Sequence, residues 1–155
     1  MEYKFKFKFK GLYLTSELLK SRAFIKLMQE GGKALAVFII FMEKRTLSLN
    51  PNKRAKRIKK YIITNNGQIT FYYREAKNRY GFSYCAFSKA IDKLIELGFI
   101  DIAQQGVGWA RTPTLYTISD RWENYDSDDF EAKIRGKKFN YKFKEGHEKY
   151  SGKEL

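Results

Sequence analysis

Residues able to carry covalent chemistry are sparse in this chain. His147 is the only histidine and Cys85 the only cysteine in 155 residues. A serine or cysteine nucleophile needs a base within hydrogen-bond reach, and nothing in the sequence brings His147, in a polar tail, near one. The stretch 128–133, "DDFEAK", has a Glu-x-Lys spacing that a magnesium-dependent nuclease could use, its carboxylates holding the metal. No upstream metal-binding acid or buried strand flanks it, so solvated linker acids are the expected reading. No glycine-rich strand-to-helix phosphate loop occurs. The expectation is a protein that is not an enzyme, with no cofactor and no metal.

What the chain holds in excess is cations. Lys and Arg number 31 against 17 Asp and Glu, a net charge of +14. Such a surplus points to a polyanionic partner, either nucleic acid or an acidic membrane surface. The 43% hydrophobic and 17% aromatic content argues for a packed core and against disorder. A single cysteine excludes a disulfide framework and fits a reducing compartment. The longest apolar run, 34–42, is too short for the roughly 20 residues a bilayer span needs. The N-terminus carries charges with no apolar signal core behind them. A cytoplasmic protein with no membrane partner and no evident small-molecule ligand is expected.

These cations must be positioned by secondary structure. Thr15 or Ser16 is a candidate cap for a short turn through Leu19, and Ser21 for a helix over 22–29 with Phe24, Ile25, Leu27 and Met28 inside. Residues 33–45 read as a mostly buried helix, with strand open because Val37, Ile39 and Ile40 are β-branched. Asn50-Pro51 is a candidate helix start, and Lys53, Arg54, Lys56 and Arg57 would line the exposed surface that follows. Asn66-Gly67 signals a two-residue hairpin between Ile62-Ile63 and 69–71. Residues 73–80 read as a short helix stopped by Gly81. Ser83 should cap a longer helix over 84–97, whose apolar Phe87, Ala90, Ile91, Leu94 and Ile95 repeat at helical spacing. Gly98 closes it. Strands follow over 99–103 and 115–118, separated by the turn-rich "QQGVGWARTPT".

Taken together, 69–118 reads strand, short helix, "GFS" turn, longer helix, strand, loop, strand. This is the arrangement a helix-turn-helix needs, with a hairpin after it. The segment "YREAKNRYGFSYCAFSKAIDKLIELGFIDI" resembles the winged helix-turn-helix pattern of bacterial, archaeal and phage DNA-binding proteins. The resemblance rests on Gly81-Phe82-Ser83, on Ser88-Lys89-Ala90-Ile91, and on Leu94 followed by Gly98-Phe99-Ile100. With "NNGQIT" ahead of it, the block is also similar to small winged-helix proteins of prokaryotic mobile elements and plasmids. It covers about 50 residues well; the 53–60 basic insert and the terminal segments depart from the pattern.

The resemblance implies that the longer helix enters the major groove of double-stranded DNA. Its core stripe leaves Tyr84, Cys85, Ser88, Lys89 and Asp92 on the open side. Ser88 and Lys89 can donate to bases or phosphates, and Tyr84 can touch a thymine methyl or a phosphate. Lys93 joins them as a DNA-binding candidate. Asp92 could accept from a cytosine amine, or pair with Lys89 or Lys93. Arg111, at the tip of the hairpin loop, is a candidate groove or phosphate probe, and Trp109 is expected to pack. Lys53, Arg54, Lys56 and Arg57 form a second phosphate-contacting element with strongly salt-dependent binding.

The expected fold is α+β, a winged helix-turn-helix with extra N- and C-terminal strand segments. Residues 1–122 would form that domain with its N-terminal strand. Residues 123–155 would be an acidic linker and a basic, aromatic C-terminal extension. The alternation of Lys with Phe5, Phe7 and Phe9 is strand-like, and Phe139, Tyr141 and Phe143 alternate the same way. These two segments are candidate pairing or dimer-forming strands. The expected function is sequence-specific double-stranded DNA binding in transcriptional regulation, as a possible homodimer. Origin binding in the replication of a mobile element, or a winged helix used for protein contact, are the alternatives.

Overall fold

The computed structural model describes residues 12–51, 61–108 and 110–136. The Lys/Phe alternation at the N-terminus, the basic residues Lys53, Arg54, Lys56 and Arg57, Trp109, and the 139–143 alternation lie outside them. The chain is α+β, and the described residues form five α-helices and two small antiparallel sheets.

Three helices lead. In α1 (Ser16–Lys20) Thr15 Oγ1 accepts from the Leu18 amide at 3.2 Å, and in α2 (Arg22–Glu30) Ser21 Oγ accepts from the Phe24 amide at 3.1 Å. Each cap satisfies an amide that the first turn leaves without a partner. The buried face of α2 is Ala23, Phe24 and Leu27. Ile25 and Met28, expected inside, stand 40% and 51% exposed, because they lie on the flank of the helix away from that stripe. Residues Ala34–Lys44 form α3, not a strand, and bury Val37, Phe38, Phe41 and Met42.

The strands pair differently from the hairpin expected at Asn66-Gly67. β1 (Leu47–Leu49) pairs with β2 (Tyr61–Ile63), whereas β3 (Ile69–Thr70) pairs with β5 (Leu115–Ile118). The two asparagines explain the difference. Asn65 Oδ1 accepts from the Thr46 amide at 2.8 Å and its Nδ2 donates to the Lys44 carbonyl at 3.0 Å. Asn66 Oδ1 accepts from the Ile118 amide at 2.6 Å and its Nδ2 donates to the Ile118 carbonyl at 3.1 Å. The turn therefore bridges two sheets instead of closing one ribbon, an asparagine side chain standing in for a ladder partner. Across the β1–β2 ribbon Leu49 faces Tyr61.

The second half follows the expected order. α4 (Tyr73–Tyr80) ends on Gly81 at φ +71°, and α5 (Tyr84–Glu96) begins on Ser83, whose Oγ accepts from the Ala86 amide at 3.2 Å. Gly98, at φ +85°, ends the turn after α5. Any Cβ there would meet the Trp122 amide nitrogen at 2.8 Å and Arg121 atoms at 2.9 Å, so glycine is needed for space as well as for angle. β4 (Ile100–Gln104) and β5 form a hairpin, giving a sheet of order β3-β5-β4.

The core joins these halves through rings. Phe38 of α3 lies 4.8 Å from Phe99, and Phe41 lies 5.4 Å from Phe71, which in turn lies 4.7 Å from Phe87 of α5. Phe38, Phe41, Phe87 and Phe99 are essentially fully buried. Each contributes about 2–3 kcal/mol by burial. Phe41–Phe71 and Phe71–Phe87 meet edge-to-face, which adds further to those two pairs. Helix α5 is thus clamped on its apolar face to α3, leaving the opposite face outward.

Past β5 the chain makes a 3₁₀ turn (Arg121–Asn124) that the sequence does not announce. Trp122 stacks near Phe99, with ring centroids 6.4 Å apart. Residues 125–136 then carry contacts back to β4, α4 and α5, described next.

Candidate nucleic-acid interface

The outward face of α5 is set by its clamped core stripe. Tyr84, Cys85 and Lys89 are exposed. The Tyr84 ring meets Tyr73 edge-on at 5.9 Å, and Lys77 Nζ lies 5.5 Å from its centroid. Tyr84 is therefore braced from α4 while 53% of it stays open. These side chains are the hydrogen-bond donors and apolar contacts that a groove-reading helix offers.

Lys93 is placed elsewhere. Its Nζ lies 3.2 Å from Glu96 Oε1 and 3.8 Å from Glu30 Oε2 of α2, and its side chain is only 22% exposed. It is committed to the α2 side of the helix. Ser88 is half-buried, because a residue not anticipated from sequence covers it. Arg135 Nη2 donates to Ser88 Oγ at 2.5 Å and to the Ser88 carbonyl at 3.3 Å. Its Nη1 donates to Tyr73 Oη at 3.2 Å, and its Nε lies 2.7 Å from Asp92 Oδ1. Asp92 thus pairs with Arg135, and not with Lys89 or Lys93 as its helical spacing suggests.

Arg135 belongs to a returning strap. Upstream, Arg121 Nε and Nη2 reach the two carboxylate oxygens of Asp101 at 3.1 and 2.5 Å, and its Nη1 donates to the Glu131 carbonyl at 2.7 Å. Lys133 Nζ lies 3.6 Å from Asp101 Oδ2. Between the two pinned cations Ile134 is 91% exposed, so charge pairing and not apolar burial holds this stretch. The alternation Lys133-Ile134-Arg135 is the one sequence signal that could have pointed to it.

The loop between β4 and β5 carries Arg111 at its tip, exposed and at φ +53°. Thr112 Oγ1 accepts from the Val107 amide at 3.0 Å and Thr114 Oγ1 from the Gly106 amide at 3.1 Å, which close the loop neck. An open cleft of about 1290 Å³ is bounded by this loop, by Tyr72 and Tyr73 at the start of α4, and by 133–136 of the strap. It brings Arg111, Lys133 and Arg135 to one concavity, where the lining acid, Asp101, is already paired. Tyr116 lies at its floor, and burial pushes its hydroxyl up to about 12. It is a packing group there.

Among the described residues no group of three or more His, Cys, Asp or Glu could hold a metal ion. No helix of the described residues is long and apolar enough to cross a membrane. No family model matches this chain, and neither a curated protein nor a solved structure matches it.

Proposed function

We propose that this chain is a winged helix-turn-helix protein that binds double-stranded DNA and regulates transcription. Helix α5 is the groove-reading helix in this reading, and the β4–β5 loop is the wing. One observation carries it. The order α3, β3, α4, tight turn, α5, β4, β5 presents a helix clamped by its apolar face, with Tyr84, Cys85 and Lys89 outward and Arg111 at an adjoining loop tip. A net charge of +14 supplies the attraction to phosphate. Lys89 and Arg111 are the assigned donors, and Tyr84 the apolar contact. Lys53, Arg54, Lys56 and Arg57, from the basic composition of that segment, add sequence-independent affinity. Ser88 and Lys93 are occupied within the protein and contribute less.

The test is a salt titration of binding to duplex DNA by wild type, Lys89→Ala and Arg111→Ala. Affinity should fall steeply with salt, and each substitution should weaken binding by roughly tenfold. Affinity that ignores salt and both substitutions would refute the reading.

A further inference from the structure

Asp92 is a liability on a surface meant for a polyanion. It lies one turn beyond Ser88 and within a turn of Lys89, on the outward side of α5, and its side chain is 51% exposed. A bare carboxylate there repels phosphate. We propose that Arg135 is a positioning residue for DNA binding: it neutralises Asp92, so that the outward face of α5 accepts a polyanion. The inference rests on the DNA-binding reading above.

Two observations separate this role from the alternatives. A guanidinium has five N–H donors. Arg135 directs Nε at Asp92, Nη1 at Tyr73 and Nη2 at both Ser88 oxygens, and its side chain is only 11% exposed. It lacks the free, parallel pair of donors that bidentate reading of a guanine requires, so it acts through Asp92 and not on DNA itself. The strap is also no lid over the helix. Tyr84, Cys85 and Lys89 stay exposed with Arg135 docked. Lys133, paired with Asp101, fixes the strap just ahead of the clasp, so the guanidinium is delivered by a segment held at two points.

The experiment measures binding of the full chain to a fluorescent duplex of mixed sequence, at low and at raised salt, with melting temperature recorded for each variant. Arg135→Ala should weaken binding about three- to tenfold at low salt, and the loss should shrink as salt rises, because a repulsion is being screened. Adding Asp92→Asn to Arg135→Ala should restore affinity to that of Asp92→Asn alone. Arg135→Gln keeps amide donors but no charge, and should behave like the alanine variant; it also serves if the alanine variant does not fold. Arg135→Lys should keep most of the affinity. Tighter binding by Arg135→Ala would make the strap an inhibitor and overturn the inference. A loss that Asp92→Asn does not restore, or that Arg135→Gln rescues, would also overturn it. These results leave DNA binding itself standing, whereas no binding by wild type would remove both.

Discussion

Two arginines on one returning segment each clasp an aspartate, yet their surroundings assign them different work. Arg121 grips Asp101 through two nitrogens, donates to the carbonyls of Ile95 and Glu131, and lies beneath Phe130. Both partners are largely covered, at 11% and 17% exposure. Arg135 is equally covered, but its Asp92 is half open and stands on the outward face of α5. Similar pairs thus differ in what losing the cation leaves behind. At Asp101 it leaves a charge inside the fold, which is a stability problem. At Asp92 it leaves a charge on an open helix face, which under the proposed DNA binding is a recognition problem. The chemistry of a pair does not state its role; the exposure of the abandoned partner does.

That contrast can be pressed hardest at Gly98, whose neighbours are the backbone of Arg121 and Trp122. Gly98→Ala forces a Cβ against atoms 2.8–2.9 Å away at φ +85°. It should cost about 3–5 kcal/mol in denaturant unfolding. Gly81→Ala has the same left-handed backbone with nothing within 4 Å of the new Cβ, and should cost only about 1–2 kcal/mol. Equal costs would mean that the Arg121 turn is not pressed against the end of α5.

Next in size, Arg121→Ala should lose about 2–4 kcal/mol of stability while the folded fraction binds DNA normally. Alkaline titration probes the same covered interior through Tyr116. Its hydroxyl titrates near 12 in the fold and near 10 when unfolded. The folded state therefore holds the proton more tightly. Its share of stability, about 3 kcal/mol, is present below pH 10 and lost between about pH 10 and 12, and Tyr116→Phe should flatten that fall. The smallest change in stability belongs to Arg135→Ala, at most about 1 kcal/mol, because water can solvate the half-open Asp92. If Arg135→Ala unfolds the protein as readily as Arg121→Ala, the division between the two clasps fails.

Local chemistry made much of the fold legible in advance. Ser21, Ser83, Gly81 and Gly98 act at the ends of helices through angles and caps that neighbours three or four residues away decide. The apolar stripe of α5 was equally local, and it correctly left Tyr84, Cys85 and Lys89 outside. What escaped was decided at long range. Asn66-Gly67 has the composition of a hairpin, but Asn66 spends its side chain on Ile118 across the fold. Ile25 and Met28 suit an interior, yet the stripe that α2 buries runs through Ala23, Phe24 and Leu27. Arg135 reaches Ser88 across 47 positions, and nothing near "KIRG" in sequence names that partner. Asp92 and Lys93 have nearby helical neighbours of suitable charge, but tertiary partners took part of each.

The central claim is that the outward face of α5 meets DNA, and Cys85 reports on it without any substitution. It is the only cysteine and it is exposed on that face. The rate at which a small neutral maleimide alkylates Cys85 should be measured in the free protein and with saturating duplex DNA. The account predicts strong protection by DNA, relieved when salt releases the duplex. An alkylation rate unchanged by DNA that is demonstrably bound would contradict it.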